Sequence, residues 1–279
     1  MQPIQTAATP AQLLLVDQLK NARVIDLEQP RFQGMPIHPS HKPGYHYALH
    51  RRHRDTYQPA VHGPRSGASG MLTMMEHSGT HIDALCHQAC GLKVFGNLDS
   101  DSIESPSGFK QLGVEHVPPL VTRGVLLDVA TWKDQSPLPR HYSISADELI
   151  GCARAQNVEL AKGDVLLVRT GYDTLWHDED VYLQAAGIGK SGTLWAAEQG
   201  VVAVGADNMA WDAPKDIDPE TGATLFGHVH LLTKKGIYII ENLDLRELAR
   251  ARQYTFAFIG IPLKFQGATG SPIRPIALI

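Results

Sequence analysis

The sequence predicts a single α/β domain with a mixed β-sheet core and flanking helices. In the second half of the 279-residue chain, helix-like stretches alternate with short apolar runs that are typical of buried strands. In the first half the predicted strands follow one another without helices between them, so we expect both parallel and antiparallel pairs. No linker and no internal repeat divides the chain, and we therefore treat residues 1–279 as one domain.

The helices are predicted from their end signals. The first covers TPAQLLLVDQLK, with Thr9 as its N-cap and Pro10 at its first position. The helix over SISADELIGCARAQ begins with a capping box of Ser145 and Glu148. Two further helices, over SGTLWAAEQG and TLFGHVHLLTKKG, each end at a glycine.

The strands are predicted from short apolar runs between turn residues. MLTMM is expected to be a buried strand that leads directly into a histidine-rich stretch. The other predicted strands are RVIDL, GVLLDVA (124–130), DVLLVRTG (164–171), VVAVGAD (201–207), IYIIENL (237–243) and YTFAFIGIPLKF (254–265).

Residues 37–70 form a polar segment rich in proline, glycine, histidine and arginine, with no apolar period. The segment is longer than an ordinary connection between elements. We interpret it as a long lid over a site or as a loop that contacts another subunit.

Composition excludes several classes of function. A formal charge of −4 and a pI of about 6.4 argue against a general nucleic-acid binder, which would show a basic domain. No apolar stretch approaches the roughly 18 residues of a membrane span, and no basic region precedes the short run LLLV as in a signal peptide. Three cysteines do not make a disulfide framework. We expect a soluble cytoplasmic protein with neither a membrane nor a nucleic-acid partner.

The stretch HSGTHIDALCH, residues 77–87, contains the candidate site residues His77, His81, Asp83 and His87. Two imidazoles and a carboxylate, from His77, His81 and Asp83, form a three-ligand set that leaves positions for water, as catalytic metal sites require. The alternative is a polar loop in which Asp83 caps a helix, in a chain where fourteen histidines make clusters easier.

Gly79 is expected to divide this stretch into a strand end, a tight turn and a helix. The helix would begin near Thr80, with Thr80 and Asp83 as a capping box, and Gly91 would mark its end. On such a helix His87, four residues after Asp83, shares its face and could reach a metal-bound water without being a ligand. Glu76, just before the stretch, is interpreted as a strand-end charge.

Other functional patterns fit less well. GIGKSG (187–192), with Asp207 twenty residues after Gly187, fits a dinucleotide-binding fingerprint, but the stretch before it is polar rather than a buried strand. The zincin pattern needs glutamate where Ser78 stands, and no G-x-S-x-G is present. A purely structural metal site would be closed and often cysteine-rich, unlike this ligand set.

HSGTHIDALCH resembles the H-x-G-T-H-x-D-x-P-x-H motif of the cyclase family of metal-dependent hydrolases, which includes kynurenine formamidase and isatin hydrolase. The segments IDLEQPRFQGMP, RGVLLDVA, GDVLLVRTG, GVVAVGAD, HVHLLTKKGIYIIENL and GATGSPIRPIA are also similar to the family. The resemblance implies a fold of the swivelling β/β/α type. It further implies that His77, His81 and Asp83 bind the metal and that His87 is the general acid/base.

The resemblance also implies that His228 and Glu241 match the ligands of a second metal found in some members, with His230 as a rival for the histidine position. Leu85 stands where formamidases have proline, and with the chain length and the 37–70 segment this favours an isatin hydrolase-like branch. The implied activity is hydrolysis of a small cyclic or aromatic amide by metal-activated water. Alternatives are a small lactone or ester of the dienelactone type, or an arylformamide. The expected metal is Zn²⁺ or Mn²⁺, and the expected assembly is a homo-oligomer, either a dimer or a tetramer.

Overall fold

A nine-stranded mixed β-sheet forms the centre of the computed structural model, which describes residues 10–279. The strands, in chain order, are β1 (Val24–Asp26), β2 (His46–Arg51), β3 (Ser69–Thr73), β4 (His81–Asp83), β5 (Lys93–Val94), β6 (Leu98–Asp99), β7 (Leu120–Asp128), β8 (Ser143–Ile144), β9 (Val165–Arg169), β10 (Gly187–Ile188), β11 (Ala203–Ala206), β12 (Tyr238–Glu241), β13 (Thr255–Gly260), β14 (Gly270–Pro272) and β15 (Ile276–Leu278). The large sheet has the order β1-β15-β13-β7-β9-β11-β12-β4-β14.

The helices are mostly short and connect the strands. In chain order they are α1 (Pro10–Asn21), α2 (His53–Thr56), α3 (Pro59–His62), α4 (Ser100–Ile103), α5 (Val129–Trp132), α6 (Ala146–Gln156), α7 (Glu179–Tyr182), α8 (Lys190–Glu198), α9 (Phe226–His228) and α10 (Arg246–Ala251), with a π-helical segment, Val229–Lys235, continuing α9. The predicted capping box of α6 is confirmed, since the side chains of Ser145 and Glu148 each accept a backbone N–H of the other residue. The predicted cap Thr9 lies outside the described residues.

The centre of the sheet is a parallel block, β7-β9-β11-β12, with antiparallel strands on both sides. The mixed sheet expected from the sequence is thus confirmed. Parallel strands with both faces covered are continuously apolar, and here Leu126 packs into one apolar layer while its neighbours Val125 and Leu127 pack into the other. Each fully buried leucine contributes about 1.5–3 kcal/mol to folding.

Two local expectations were wrong. Residues 81–83 form strand β4 rather than a helix, because β12 and β14 pair with it on either side. Thr80 makes no capping box, since its hydroxyl donates to the Asn242 carbonyl and accepts from the backbone N–H of Gln29. MLTMM is not a buried strand, because every side chain of β3 is exposed.

The segment predicted as a lid or subunit-contact loop carries secondary structure of its own. β2 and β3 pair as an antiparallel hairpin that encloses α2 and α3, and all residues of both strands are exposed. We call residues 46–73 the arm. A two-stranded hairpin without a packed face is marginally stable in water, and residues 10–279 leave both strands of the arm exposed.

Among the described residues, no helix combines the length and the apolar character that crossing a membrane requires.

Candidate metal centre

Strand β4 sets the geometry of the site. Side chains alternate along a strand, so His81 and Asp83 share one face while Ile82 packs into the apolar layer behind. β12 pairs with β4 in a register that places Glu241 opposite His81. The sheet therefore brings together two predicted ligands from one part of the sequence and a third from 158 positions further on.

The turn before β4 fixes the orientation of His81. Gly79 has a φ of 65°, in the left-handed region that favours glycine, as the predicted tight turn requires. The Gly79 carbonyl lies 2.8 Å from His81 Nδ1 and also accepts a hydrogen bond from Asn242 Nδ2. His81 consequently presents Nε2 to the carboxylates, 3.3 Å from Glu241 Oε2 and 3.5 Å from Asp83 Oδ1.

His228 at the end of α9 completes this side of the site. Its Nδ1 lies 2.7 Å from Asp212 Oδ2, and its Nε2 lies 3.0 Å from Glu241 Oε1 and 3.5 Å from Asp83 Oδ2. The rival His230 stacks on Phe226 instead, with ring centroids 5.4 Å apart. The structure thus places His228, and not His230, at the site.

His77 and His87 lie on the other side of Asp83. Their rings stack with centroids 3.9 Å apart. His77 Nδ1 lies 2.8 Å from Asp83 Oδ1, and His77 Nε2 lies 2.7 Å from Thr269 Oγ1. Glu76 accepts hydrogen bonds from the Thr269 backbone and hydroxyl, so its interpretation as a mere strand-end charge was wrong.

All six predicted site residues therefore converge, but not in the grouping expected. The ligating atoms of five of them form two overlapping sets that share Asp83, one with His77 and His87 and the other with His81 and Glu241, and His228 belongs to neither set. The expected trio of His77, His81 and Asp83 is divided between the two. His87 also reaches its place without the predicted helix, since residues 84–87 follow β4 as a turn.

The residues present fit a divalent cation. Asp83 Oδ2 and Glu241 Oε1 are buried and have no hydrogen-bond partner among the described residues, although His228 Nε2 lies 3.0 Å from Glu241 Oε1. Separations of 3.0–3.5 Å between these oxygens and the Nε2 atoms resemble those between neighbouring ligands of a cation bound at about 2.0–2.2 Å. Imidazole and carboxylate donors suit Zn²⁺ and Mn²⁺ alike.

Protons on the imidazoles would compensate the buried carboxylates where no cation is bound. Burial raises the pKa of Asp83, but the histidines His87 and His77 outweigh it and hold that pKa well below its ordinary value. Burial lowers the pKa of His81 and His228, but their carboxylate partners raise both above the ordinary value. Because a cation needs deprotonated ligands, its binding would displace these protons.

A cavity of about 130 Å³ opens onto the site. The site histidines and Glu241 line it, and Ile37, Met209 and Leu225 contribute an apolar part of the wall. His41, just before the arm, reaches this cavity and stacks on His77 with centroids 4.9 Å apart. Burial, followed by the nearby His77 and His81, lowers the pKa of His41 to about 4, so this ring is neutral near pH 7.

The structure also excludes the dinucleotide interpretation of GIGKSG. Asp207 is fully buried, and its carboxylate accepts hydrogen bonds from Thr170, Gly171 and Asp173. No oxygen of Asp207 is therefore directed at a bound ribose.

The fold and the site together define an α/β protein with a buried histidine–carboxylate centre beside a small cavity. The chain belongs to the Cyclase family, whose model matches residues 25–213. The match includes the whole 77–87 motif, whereas His228 and Glu241 lie beyond its end. The resemblance of the sequence to this family is confirmed.

Curated relatives and solved structures agree with this assignment. A kynurenine formamidase of Bacillus cereus is 26% identical over 263 residues, covering 92% of this chain and 98% of the relative. Isatin hydrolase of Roseibium aggregatum is 25% identical over 215 residues, covering 75% and 73%.

A crystal structure described as a novel cyclase has a TM-score of 0.81 at 29% identity and covers 97% of this chain and 93% of its own. Isatin hydrolase A from Ralstonia solanacearum has a TM-score of 0.74 at 20% identity, covers 99% and 100%, and shows the shared fold. The predicted single-domain α/β fold of this family is confirmed.

Proposed function

We propose that this protein is a metal-dependent hydrolase that opens or cleaves a small cyclic or aromatic amide. The observation that carries the proposal is the pair of buried carboxylate oxygens, Asp83 Oδ2 and Glu241 Oε1, that face imidazole nitrogens without a hydrogen-bond partner among the described residues. Burying such oxygens unpaired costs several kcal/mol unless a cation or proton compensates them.

In this proposal the ligands are His81, Asp83, His228 and Glu241, with His77 beside Asp83. When bound, a divalent cation lowers the pKa of water from about 15.7 to about 7 and polarises a carbonyl group. The ring of His87 accepts a proton as water attacks the carbonyl carbon, and returns it to the nitrogen that leaves. The products are a carboxylic acid and an amine, on one molecule if the amide was cyclic.

The cavity supports a small substrate. Its volume of about 130 Å³ is well below the roughly 300–1,000 Å³ of sites for drug-sized ligands. The apolar part of the wall suits an aromatic or otherwise flat group, with His41 over the His77 ring. Similarity to an isatin hydrolase supports a cyclic amide as the substrate.

Arylformamide hydrolysis is the second candidate. It is favoured by the similarity to kynurenine formamidase, which extends over 92% of the chain. A small lactone or ester is a third substrate class, because the same attack on a carbonyl carbon serves both bond types.

The test combines metal analysis of the purified protein with a substrate panel of isatin, N-formylkynurenine and small unsaturated lactones. We expect at least one equivalent of Zn²⁺ or Mn²⁺ per chain and turnover of the cyclic amide. His81→Ala should lose both the metal and the activity, whereas His230→Ala, a histidine outside the site, should keep both. An active His81→Ala protein that holds no metal would refute the proposal.

A further inference from the structure

Asp212 is a buried carboxylate that the sequence did not reveal. Only 4% of its surface is exposed. Its two oxygens accept hydrogen bonds from the backbone N–H groups of Gly227 and His228 and lie 2.7 Å from His228 Nδ1. All three contacts go to the short helix that carries His228, and none to the cavity side of the site.

Two glycines allow this carboxylate to approach so closely. A Cβ on Gly227 would lie 2.8 Å from both carboxylate oxygens of Asp212. A Cβ on Gly187 would lie 2.2 Å from the Asp212 backbone oxygen. Gly187 opens the GIGKSG stretch, so this glycine of the dinucleotide-binding fingerprint instead makes room for the Asp212 backbone.

The backbone before Asp212 is held in a strained conformation. Trp211 has a φ of 47°, in the left-handed region that costs a bulky residue on the order of 1–3 kcal/mol. Three contacts stabilise it: its indole N–H donates to Thr193 Oγ1, and its carbonyl accepts from the Ile188 N–H and from Asn208 Nδ2. Such strain persists only where the surrounding structure fixes the conformation, and here the result is a fixed Asp212 side chain.

We propose that Asp212 is a positioning residue that keeps the proton of neutral His228 on Nδ1 and directs Nε2 at the cation. The inference rests on the proposed function, since it assigns Nε2 to metal binding. A carboxylate behind a metal-bound histidine fixes its tautomer and ring orientation and increases its basicity, and loss of such a partner weakens metal binding about 10–100-fold. Here Asp212 lies at Nδ1 of the His228 ring, whereas Glu241 and Asp83 lie near its Nε2.

Asp212→Asn tests this directly. In the wild type, Asp212 Oδ1 accepts the Gly227 N–H, whereas Oδ2 accepts the His228 N–H and contacts Nδ1. The uncharged amide can accept at only one of these two positions, because its nitrogen only donates. With the amide oxygen towards Gly227, neutral His228 carries its proton on Nε2, which blocks the metal-facing nitrogen. With the amide oxygen towards His228, the Gly227 N–H faces a donor and the ring loses its charged partner. We expect the affinity for Zn²⁺ alone, measured by calorimetry, to fall about 10–100-fold.

An NMR measurement distinguishes a positioning role of Asp212 from a purely structural one. In the ¹⁵N spectrum of the zinc-saturated protein, wild-type His228 should show a protonated Nδ1 and a metal-bound Nε2, and Asp212→Asn should lose this pattern. Asp218→Asn is the matched control, because Asp218 is also buried in the 207–228 segment but pairs with Lys190 and Thr221. Its zinc affinity should equal that of the wild type.

The outcomes distinguish the two proposals. A wild-type protein that binds neither Zn²⁺ nor Mn²⁺ refutes the proposed function and this inference with it. A wild type that binds zinc, beside a folded Asp212→Asn protein of equal affinity and unchanged His228 signals, refutes only the positioning role. If Asp212→Asn does not fold, Asp212→Glu is measured instead, since one extra methylene should displace His228; undiminished affinity there also refutes the role.

Discussion

At the scale of single residues, the imidazole rings of His87 and His77 differ in their contacts. His77 has fixed partners at both ring nitrogens, Asp83 and Thr269. His87 stacks on His77, and its side chain lies at a polar contact of 3.3 Å from Gln88. A ring held by stacking can exchange protons with a substrate more readily than one held through both nitrogens, which supports acid/base chemistry for His87.

We predict that His87→Gln keeps the wild-type metal content and lowers kcat by about 10²–10⁴-fold, because loss of general acid/base catalysis has this magnitude. Metal analysis beside steady-state kinetics checks the prediction. His116→Gln, at an exposed histidine away from the site, is the control. Loss of a full equivalent of metal from His87→Gln would instead make His87 a ligand, as its grouping with His77 and Asp83 allows.

The sequence predicted the site residues better than their surroundings. His77, His81, Asp83, His87, His228 and Glu241 all meet. The first four were predicted from residue types and spacing, whereas His228 and Glu241 followed only from the resemblance to the cyclase family. His41, Asp212 and Thr269 were missed, because no local pattern distinguishes them and only tertiary folding brings them to the site.

At the scale of elements, strand β4 shows why the local prediction of a helix failed. Thr80 and Asp83 satisfy the spacing of a capping box, but the alternation His81-Ile82-Asp83 also satisfies a strand with one apolar face. Pairing with β12 and β14 decides between them, and those strands lie far away in the sequence. Longer elements with their own end signals, such as α6, were predicted correctly.

Glu148, in the capping box of α6, makes the free energy of unfolding depend on pH. Burial raises the pKa of Glu148, but Lys133, Ser145 and Tyr142 outweigh it and lower that pKa from 4.5 to about 2. The carboxylate therefore stabilises the fold above about pH 4.5, and this contribution is lost as the pH falls towards 2. Because the side chain is partly exposed, solvent screening reduces the contribution to about 1 kcal/mol.

We predict that Glu148→Gln, which can still form the capping box, is about 1 kcal/mol less stable than the wild type at pH 7 and nearly equal to it near pH 2. Urea unfolding across this pH range checks the prediction. Glu159→Gln, at an exposed position, should follow the wild-type curve. If the loss of stability of Glu148→Gln relative to the wild type does not change with pH, the charge-based explanation is contradicted.

The short strand β10 should tolerate no side chain at its first position. We predict that Gly187→Ala lowers stability by about 1–3 kcal/mol, as overpacking does, because its Cβ would lie 2.2 Å from the Asp212 oxygen. Thermal unfolding measures the loss. Gly67→Ala, where a Cβ meets nothing within 4 Å, should be nearly neutral; equal stability of the two variants would contradict the contact.

At the scale of the whole molecule, the arm carries apolar side chains that the described part of the chain leaves exposed. Tyr47, Leu49, Met71 and Leu72 are about half exposed or more on its two strands. The arm also carries four arginines and one acidic residue, whereas the whole chain has a formal charge of −4. An apolar, basic arm beside an acidic body is suited to pairing with a second copy of the chain.

We predict that the protein is a homo-oligomer and that Met71→Asp with Leu72→Asp dissociates it, because the two charges would oppose burial of the arm. Light scattering after size-exclusion chromatography measures the mass. Val121→Asp, at an exposed apolar position outside the arm, should leave the assembly intact. A wild type that remains monomeric at high concentration would refute the prediction.

Strand β4 has a consequence for how tightly the site can hold a cation. It is clamped between two other strands, so His81 and Asp83 cannot move apart without breaking backbone hydrogen bonds on both sides. Their rotational freedom is lost when the chain folds and need not be lost again when a cation arrives. Loading should therefore have a small entropic penalty.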